Sequence, residues 1–193
     1  MGKAKNLIID GNTPFEIIQL EYGLNVKNRI VYLEQPFDVI TPAIINGRIH
    51  AITSISGDSK SPITLYIPNY GGSVYGMFGV YDLIQSVPMK INTKGTAAVM
   101  SAATIILAGG TGKRTITPNT TVMIHQASGM LQGTTSDINN EASQISAIQN
   151  NMVSILEKHT KKDAKFWKTK IRAGNIYLPP DKCLEYGIID EVE

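Results

Sequence analysis

The sequence predicts an α/β fold: a parallel core sheet with one long helix projecting from it. Three observations lead there. Short β-branched runs alternate with segments of helical apolar spacing, the pattern of right-handed βαβ crossovers. From Ser136 to His159 the apolar positions Ile138, Ala142, Ile145, Ile148, Met152, Ile155 and Leu156 keep helical spacing, too long a run for a small core to cover. The chain has 193 residues, 42% of them hydrophobic and 18% charged, enough for one domain with a real core.

Residues 1–28 mix charge, Gly and Pro with two apolar stretches, Leu7–Ile9 and Phe15–Leu20, and read as an N-terminal arm; the main domain is expected to run over 29–193. Arg29–Leu33 is a β-branched run stopped by Pro36, hence a strand. Pro42–Ile55 has helical spacing, with Thr41 as N-cap and Pro42 at the first helical position. Ile63–Ile67 is a buried strand, broken by Pro68-Asn69-Tyr70-Gly71-Gly72, after which a helix carries Met77, Val80, Tyr81 and Ile84 to Pro88. A weak strand follows near Lys90–Thr93, then a small-residue helix from about Met100 to Ala108. Thr121–His125 is another buried strand. The long helix spans about 136–159, a short one Phe166–Ile171, and a last one starts at Pro179-Pro180 and ends at Gly187.

Composition excludes several functions. The net charge of +2 is unlike a nucleic-acid-binding surface. One cysteine, Cys183, rules out an internal disulfide or a multi-thiolate metal site and reads as a buried small hydrophobe. No export signal or membrane span is visible, so the expected address is cytoplasmic, with no membrane partner. His50, His125 and His159 lack metal-ligand spacing, so no metal is expected. Gly109-Gly110-Thr111-Gly112-Lys113-Arg114 fails as a phosphate loop, because Leu107 stands where the first glycine belongs and Arg114 where magnesium needs Ser or Thr. There is no GxSxG elbow.

Three groups have chemistry, each beside a plainer reading. Gly71-Gly72 after a strand lets backbone N–H groups approach a ligand, or simply makes a tight turn. Ser101 before Ala102-Ala103-Thr104 suits a nucleophile at a positive helix end, or is an N-cap. His125 at a strand end stands where a general base must emerge, or is structural.

Taken together, Gly71-Gly72-Ser73-Val74, Tyr81-Asp82, Ser101, Pro118-Asn119 with Val122-Met123-Ile124-His125-Gln126, and Glu185-Tyr186-Gly187-Ile188-Ile189-Asp190 resemble the ClpP family of self-compartmentalised serine peptidases. The resemblance runs from about Tyr22 to Val192. It implies a ClpP/crotonase-like fold of repeated ββα units in which the helix at about 136–159 is the projecting handle.

It also implies site residues. In one register Val99 falls at the family's serine, which would make the chain inert; counting without gaps from Tyr81-Asp82 puts Ser101 there instead, with Ala97 in place of the family glycine and Gly95 two residues early. Ser101 is the preferred nucleophile. His125 matches the general base, and Asn175, twelve residues before Gly187, stands where the family usually has Asp. An amide oxygen can orient the imidazole but lacks the charge that stabilises imidazolium, so low activity is expected. The N–H groups of Gly72 and Ala102 would form the oxyanion hole, and Gly71 and Gln126 would border extended substrate.

The resemblance further implies a homo-oligomer of heptameric rings stacked as a tetradecamer, acting on unfolded protein or peptides. No cofactor is implied in this chain; ATP would enter only through a hexameric AAA+ unfoldase. The family's charged pair before the Asp, associated with ring assembly, is Ala173-Gly174 here. Two other readings stay open: a catalytically weak or inactive ring subunit with an assembly role, and a crotonase-type acyl-CoA enzyme. Against the second, no carboxylate replaces His125 and no CoA-binding loop is evident.

Overall fold

A computed structural model describes residues 21–193. Most of the arm, including Leu7–Ile9 and Phe15–Leu20, lies outside the described residues. In chain order the elements are β1 (Leu24–Asn25), β2 (Ile30–Tyr32), α1 (Thr41–Ser56), β3 (Ile63–Asn69), α2 (Val74–Ser86), β4 (Ile91–Met100), α3 (Ala102–Ala108), β5 (Arg114–Ile116), β6 (Thr121–Ile124), α4 (Thr135–His159), α5 (Ala164–Arg172), β7 (Ile176–Leu178), α6 (Pro180–Tyr186) and β8 (Glu191–Val192). The mixed α/β architecture with a mostly parallel sheet agrees with the expectation.

The strand order is β1-β2-β3-β4-β5-β8, with β6 and β7 branching from β4. All pairings are parallel except β1 with β2 and β6 with β7. β4 forks: Thr93–Gly95 pair with β5, whereas Ala98–Met100 pair with β6. On its other side Ile67 opposes Gly95 but Asn69 opposes Val99, so β4 has two more residues than β3 in that interval. This bulge has Ala97 at φ 55°, a left-handed conformation costly for a residue with a Cβ.

The core lies between the sheet and its helices. Ile45, Ile49 and Ile52 of α1 and Met77, Val80 and Ile84 of α2 are buried, the two helices pack against each other with Gly79 close on Pro42, and every residue of α3 is buried. Below them Trp167 of α5 stacks edge-on against Phe166 and Tyr186 and donates its indole N–H to Thr160 Oγ1 at 2.9 Å. In α4 the buried residues are all from Ile148 onward; Thr135–Gln144 are exposed, and the helix start is held by a capping box between Thr134 and Asp137.

Some boundaries differ from expectation. Ile40, not Thr41, is the N-cap of α1; the Thr41 hydroxyl accepts the Asp38 N–H at 2.8 Å and shapes the preceding turn. The strand expected near 90–93 continues to Met100, because the small residues at 95–98 let neighbours close on both sides, and α3 starts only at Ala102. Within the stretch assigned to the arm, β1 pairs with β2, and Leu24 and Val26 are buried. The failed phosphate loop has a structural use. Arg114 Nη1 donates to the carbonyls of His159 (2.7 Å), Gly187 (2.9 Å) and Ala108 (3.2 Å), while Nη2 pairs with Asp190. Three segments distant in sequence are thereby tied together.

Candidate active site

The site is assembled where β3, β4 and β6 end. At the end of β3 the fully buried Asn69 organises the glycine turn: its Nδ2 donates to the carbonyls of Gln35 (2.7 Å) and Leu33 (3.0 Å), and its Oδ1 accepts the Gly71 N–H at 2.7 Å. Gly71 has φ 103° and Gly72 φ 138°, both in the region that favours glycine. Space imposes a second requirement. A Cβ on Gly72 would lie 2.5 Å from the Phe37 carbonyl oxygen, and one on Gly71 would lie 2.7 Å from Ser101 Cβ. Phe37 donates its N–H to Gly71 O and accepts that of Ser73, so the Gly72 N–H faces away from Phe37.

At the end of β4 the chain turns sharply into α3. Ser101 sits in that turn with φ 55° and ψ −125°, conformational strain at a single non-glycine residue. The neighbouring strand holds it there. Ser101 N–H donates to the Met123 carbonyl at 2.8 Å, and the buried Thr104 hydroxyl reaches the same carbonyl at 2.7 Å and Val99 O at 3.1 Å. Val99, the other residue considered for the serine position, is fully buried within β4 opposite Val122.

His125 follows β6, and its Nε2 lies 2.7 Å from Ser101 Oγ. A hydroxyl hydrogen-bonded to an imidazole, held in a strained turn, can transfer its proton as it attacks a carbonyl carbon. Ala102 N lies 3.2 Å from where a Gly71 Cβ would stand, so the Gly71-Gly72 and Ser101-Ala102 backbones are in contact beside the hydroxyl.

Asn175 is brought near but is not engaged. Ile124 pairs with Ile176 in the antiparallel β6–β7 ladder, so the register extended by one residue sets Asn175 opposite His125. Its side chain is exposed and makes no hydrogen bond among the described residues. Gln126 is exposed and borders a groove of about 450 Å³ between α4 and α5. Cys183 is buried, which pushes its thiol up to about 12 and leaves it unreactive.

A family model described as Clp protease matches residues 17–193. The chain belongs to the Clp protease family. Its curated relatives include the ATP-dependent Clp protease proteolytic subunit of Bacteroides thetaiotaomicron, 34% identical over 170 residues that cover 86% of this chain and 75% of the relative. The ATP-dependent Clp protease proteolytic subunit 1 of Thermobifida fusca is 35% identical over 173 residues, 89% of this chain and 77% of its own. Proteolytic subunit 2 of Mycobacterium leprae is 34% identical over 174 residues, with 89% and 80% covered. Membership of the Clp proteases places the chain among peptidases, which are hydrolases. Among the described residues no helix is long and apolar enough to cross a membrane.

Sequence reasoning passed over two residues of this site, Asn69 and Thr104. Both look ordinary in sequence, and their partners, the Leu33 and Met123 carbonyls, come from distant strands. The available signal was an Asn two residues before a Gly, the spacing at which an Asn side chain accepts a backbone N–H.

Proposed function

We infer that this chain is a serine endopeptidase subunit in which Ser101 is the nucleophile and His125 the general base. The contact of 2.7 Å between Ser101 Oγ and His125 Nε2 carries the reading. As Ser101 Oγ attacks a peptide carbonyl carbon, His125 takes the hydroxyl proton. The N–H groups of Gly72 and Ala102 stabilise the resulting oxyanion. His125 then returns the proton to the leaving amine, and water, deprotonated by the same imidazole, hydrolyses the acyl-enzyme. Asn175, which the β6–β7 register extended by one residue sets opposite His125, would act as the third member by turning its amide oxygen to accept the Nδ1–H and fix the tautomer. Extended substrate lies along Gly71 on one side and Gln126 on the other, held by main-chain hydrogen bonds.

Family membership supports the rest of the assignment: heptameric rings stacked as a tetradecamer through α4, cytoplasmic, degrading unfolded polypeptides delivered by a hexameric AAA+ unfoldase that alone uses ATP, with no cofactor in this chain. A fluorophosphonate probe should label the wild-type protein at Ser101 and leave Ser101→Ala unlabelled, and the same substitution should abolish hydrolysis of a short fluorogenic peptide. Peptide hydrolysis that survives in Ser101→Ala would overturn the nucleophile.

The second reading, a weak or inactive ring subunit with an assembly role, is favoured by one observation: the Asn175 side chain does not engage His125. Failure of the probe to label the assembled wild-type protein would decide for it.

A further inference from the structure

Charge along the chain is unevenly distributed. Lys158–Arg172 contains seven basic residues against one acidic, Asp163, while the whole chain nets only +2, so the remainder is net acidic. Part of this excess is used internally. Lys162 lies over the Phe166 and Tyr186 rings and pairs with Glu185, Lys170 lies over Phe166, and Lys161 donates to the Leu184 carbonyl. Lys165, Lys168 and Arg172 differ: all three are exposed, and among the described residues none is within 4.0 Å of a carboxylate. Their spacing puts them on one side of α5.

Lys168 and Arg172 also form a wall of the groove that begins at Gln126. The facing wall is α4, with Ser146, Gln149 and Asn150. Gln149 Oε1 accepts the Ala127 N–H at 2.8 Å, which fixes the amide and leaves Nε2 as a donor. That nitrogen is buried and has no partner among the described residues. Ammonium, guanidinium and amide NH₂ are donors without acceptor capacity, and no acidic residue lines the groove. The chemical complement is a carboxylate. The position points to substrate, because Gln126 directly follows His125 and Arg172 is three residues before Asn175, which the β6–β7 register sets opposite His125.

We propose that this groove is a specificity subsite that admits an Asp or Glu side chain of the polypeptide substrate, with Lys168, Arg172 and Gln149 as the selecting residues. The proposal rests on the reading of Ser101 and His125 as the catalytic pair. A nucleic acid would answer the same cations, but the oriented amide and the path to His125 favour a polypeptide carboxylate.

The test uses full-length protein and labelled peptides identical except for one Glu, Gln or Lys. Binding to Ser101→Ala is read by fluorescence anisotropy and hydrolysis by wild type as kcat/KM. The Glu peptide should be preferred to the Gln peptide about tenfold, as two exposed ion pairs of a few-fold each would give. The preference should shrink toward one in about 0.5 M salt. K168E/R172E, at two exposed positions, should invert the preference toward Lys, and Gln149→Leu should weaken it. Equal binding of the Glu and Gln peptides, or a ratio unmoved by the charge reversal, overturns the proposal, as does an oligonucleotide that displaces the Glu peptide at lower concentration than unlabelled peptide does. Glu-selective binding to Ser101→Ala without hydrolysis of any peptide by wild type sinks the catalytic reading and supports the subsite, so the two failures are distinct.

Discussion

Replacing Gly71 by Ala tests the geometry around Ser101 most directly. The new Cβ would stand 2.7 Å from Ser101 Cβ, 2.9 Å from Met100 O and 3.2 Å from Ala102 N. None of these is the free end of a flexible side chain, so the turn itself must give way. Restoring an ordinary contact distance needs a displacement of nearly 1 Å, and a misplacement of about that size costs on the order of 100-fold in rate. The φ of 103° adds backbone strain of about 1–3 kcal/mol. Gly57→Ala is the matched control: φ is 66°, but a Cβ there meets nothing within 4 Å, and the residue caps α1 away from the site. Both variants should lose stability in urea unfolding, by about 1–3 kcal/mol for Gly71→Ala and about 1 kcal/mol for Gly57→Ala. Only Gly71→Ala should slow fluorophosphonate labelling and lower kcat, by about 100-fold. If kcat in Gly71→Ala stays within about threefold of the control, the claim that this contact positions Ser101 is wrong.

Three further outcomes follow from named contacts. Asn175→Asp puts a carboxylate opposite His125 and should raise kcat/KM for a fluorogenic peptide at least about tenfold, within the roughly 10⁴ that an equivalent Asp is worth in another serine protease; an unchanged rate would mean that the extended register misplaces the residue. Ala97→Gly relieves left-handed strain of about 1–2 kcal/mol against a glycine entropy cost of about 0.5–1 kcal/mol, so the urea midpoint should rise, and a fall would contradict the strain argument. His159 Nε2 lies 2.8 Å from Tyr81 Oη, and burial first, then the charges of Lys158 and Arg114, hold its pKa below the ordinary value. The unfolded chain therefore binds this proton more readily, so its stabilising effect is complete above about pH 6.5 and is lost as pH falls from there through the folded pKa. Stability should drop as pH falls below about 6.5, and His159→Gln should flatten that dependence; an undiminished drop in the variant would assign it to another group.

Local chemistry made part of this site legible in the sequence. Gly71-Gly72 was visible because few residues tolerate positive φ at such a turn, and His125 because a strand of Thr, Val, Met and Ile ends on it. Ser101 follows in the sequence only from counting register, since Val99 competes for the same position; Val99 lies within β4 and Ser101 just after it. Ala97, which stands where the family has glycine, takes a positive φ in the bulge of β4, yet an alanine in that conformation has no sequence signature. Strands β1, β5, β7 and β8 are two or three residues long and exist through their partners, so no periodicity could announce them. The donor set around Gln149 is equally hidden in the sequence, since Gln149 comes from α4 and Lys168 and Arg172 from α5.

The exposed first turns of α4 have a thermodynamic consequence for the whole subunit. Thr135–Gln144 extend the helix about 15 Å, held by its own hydrogen bonds, the Thr134–Asp137 box and one bond from Gln144 Nε2 to Tyr75 Oη at 3.2 Å, and an isolated helix of ten residues is marginal in water. In a lone protomer this segment should exchange its amide hydrogens orders of magnitude faster than Ile148–Leu156, whose side chains are anchored in the core. Any surface that covers it supplies the missing stability by mass action, so the helical content of the segment becomes a function of the concentration of whatever covers it.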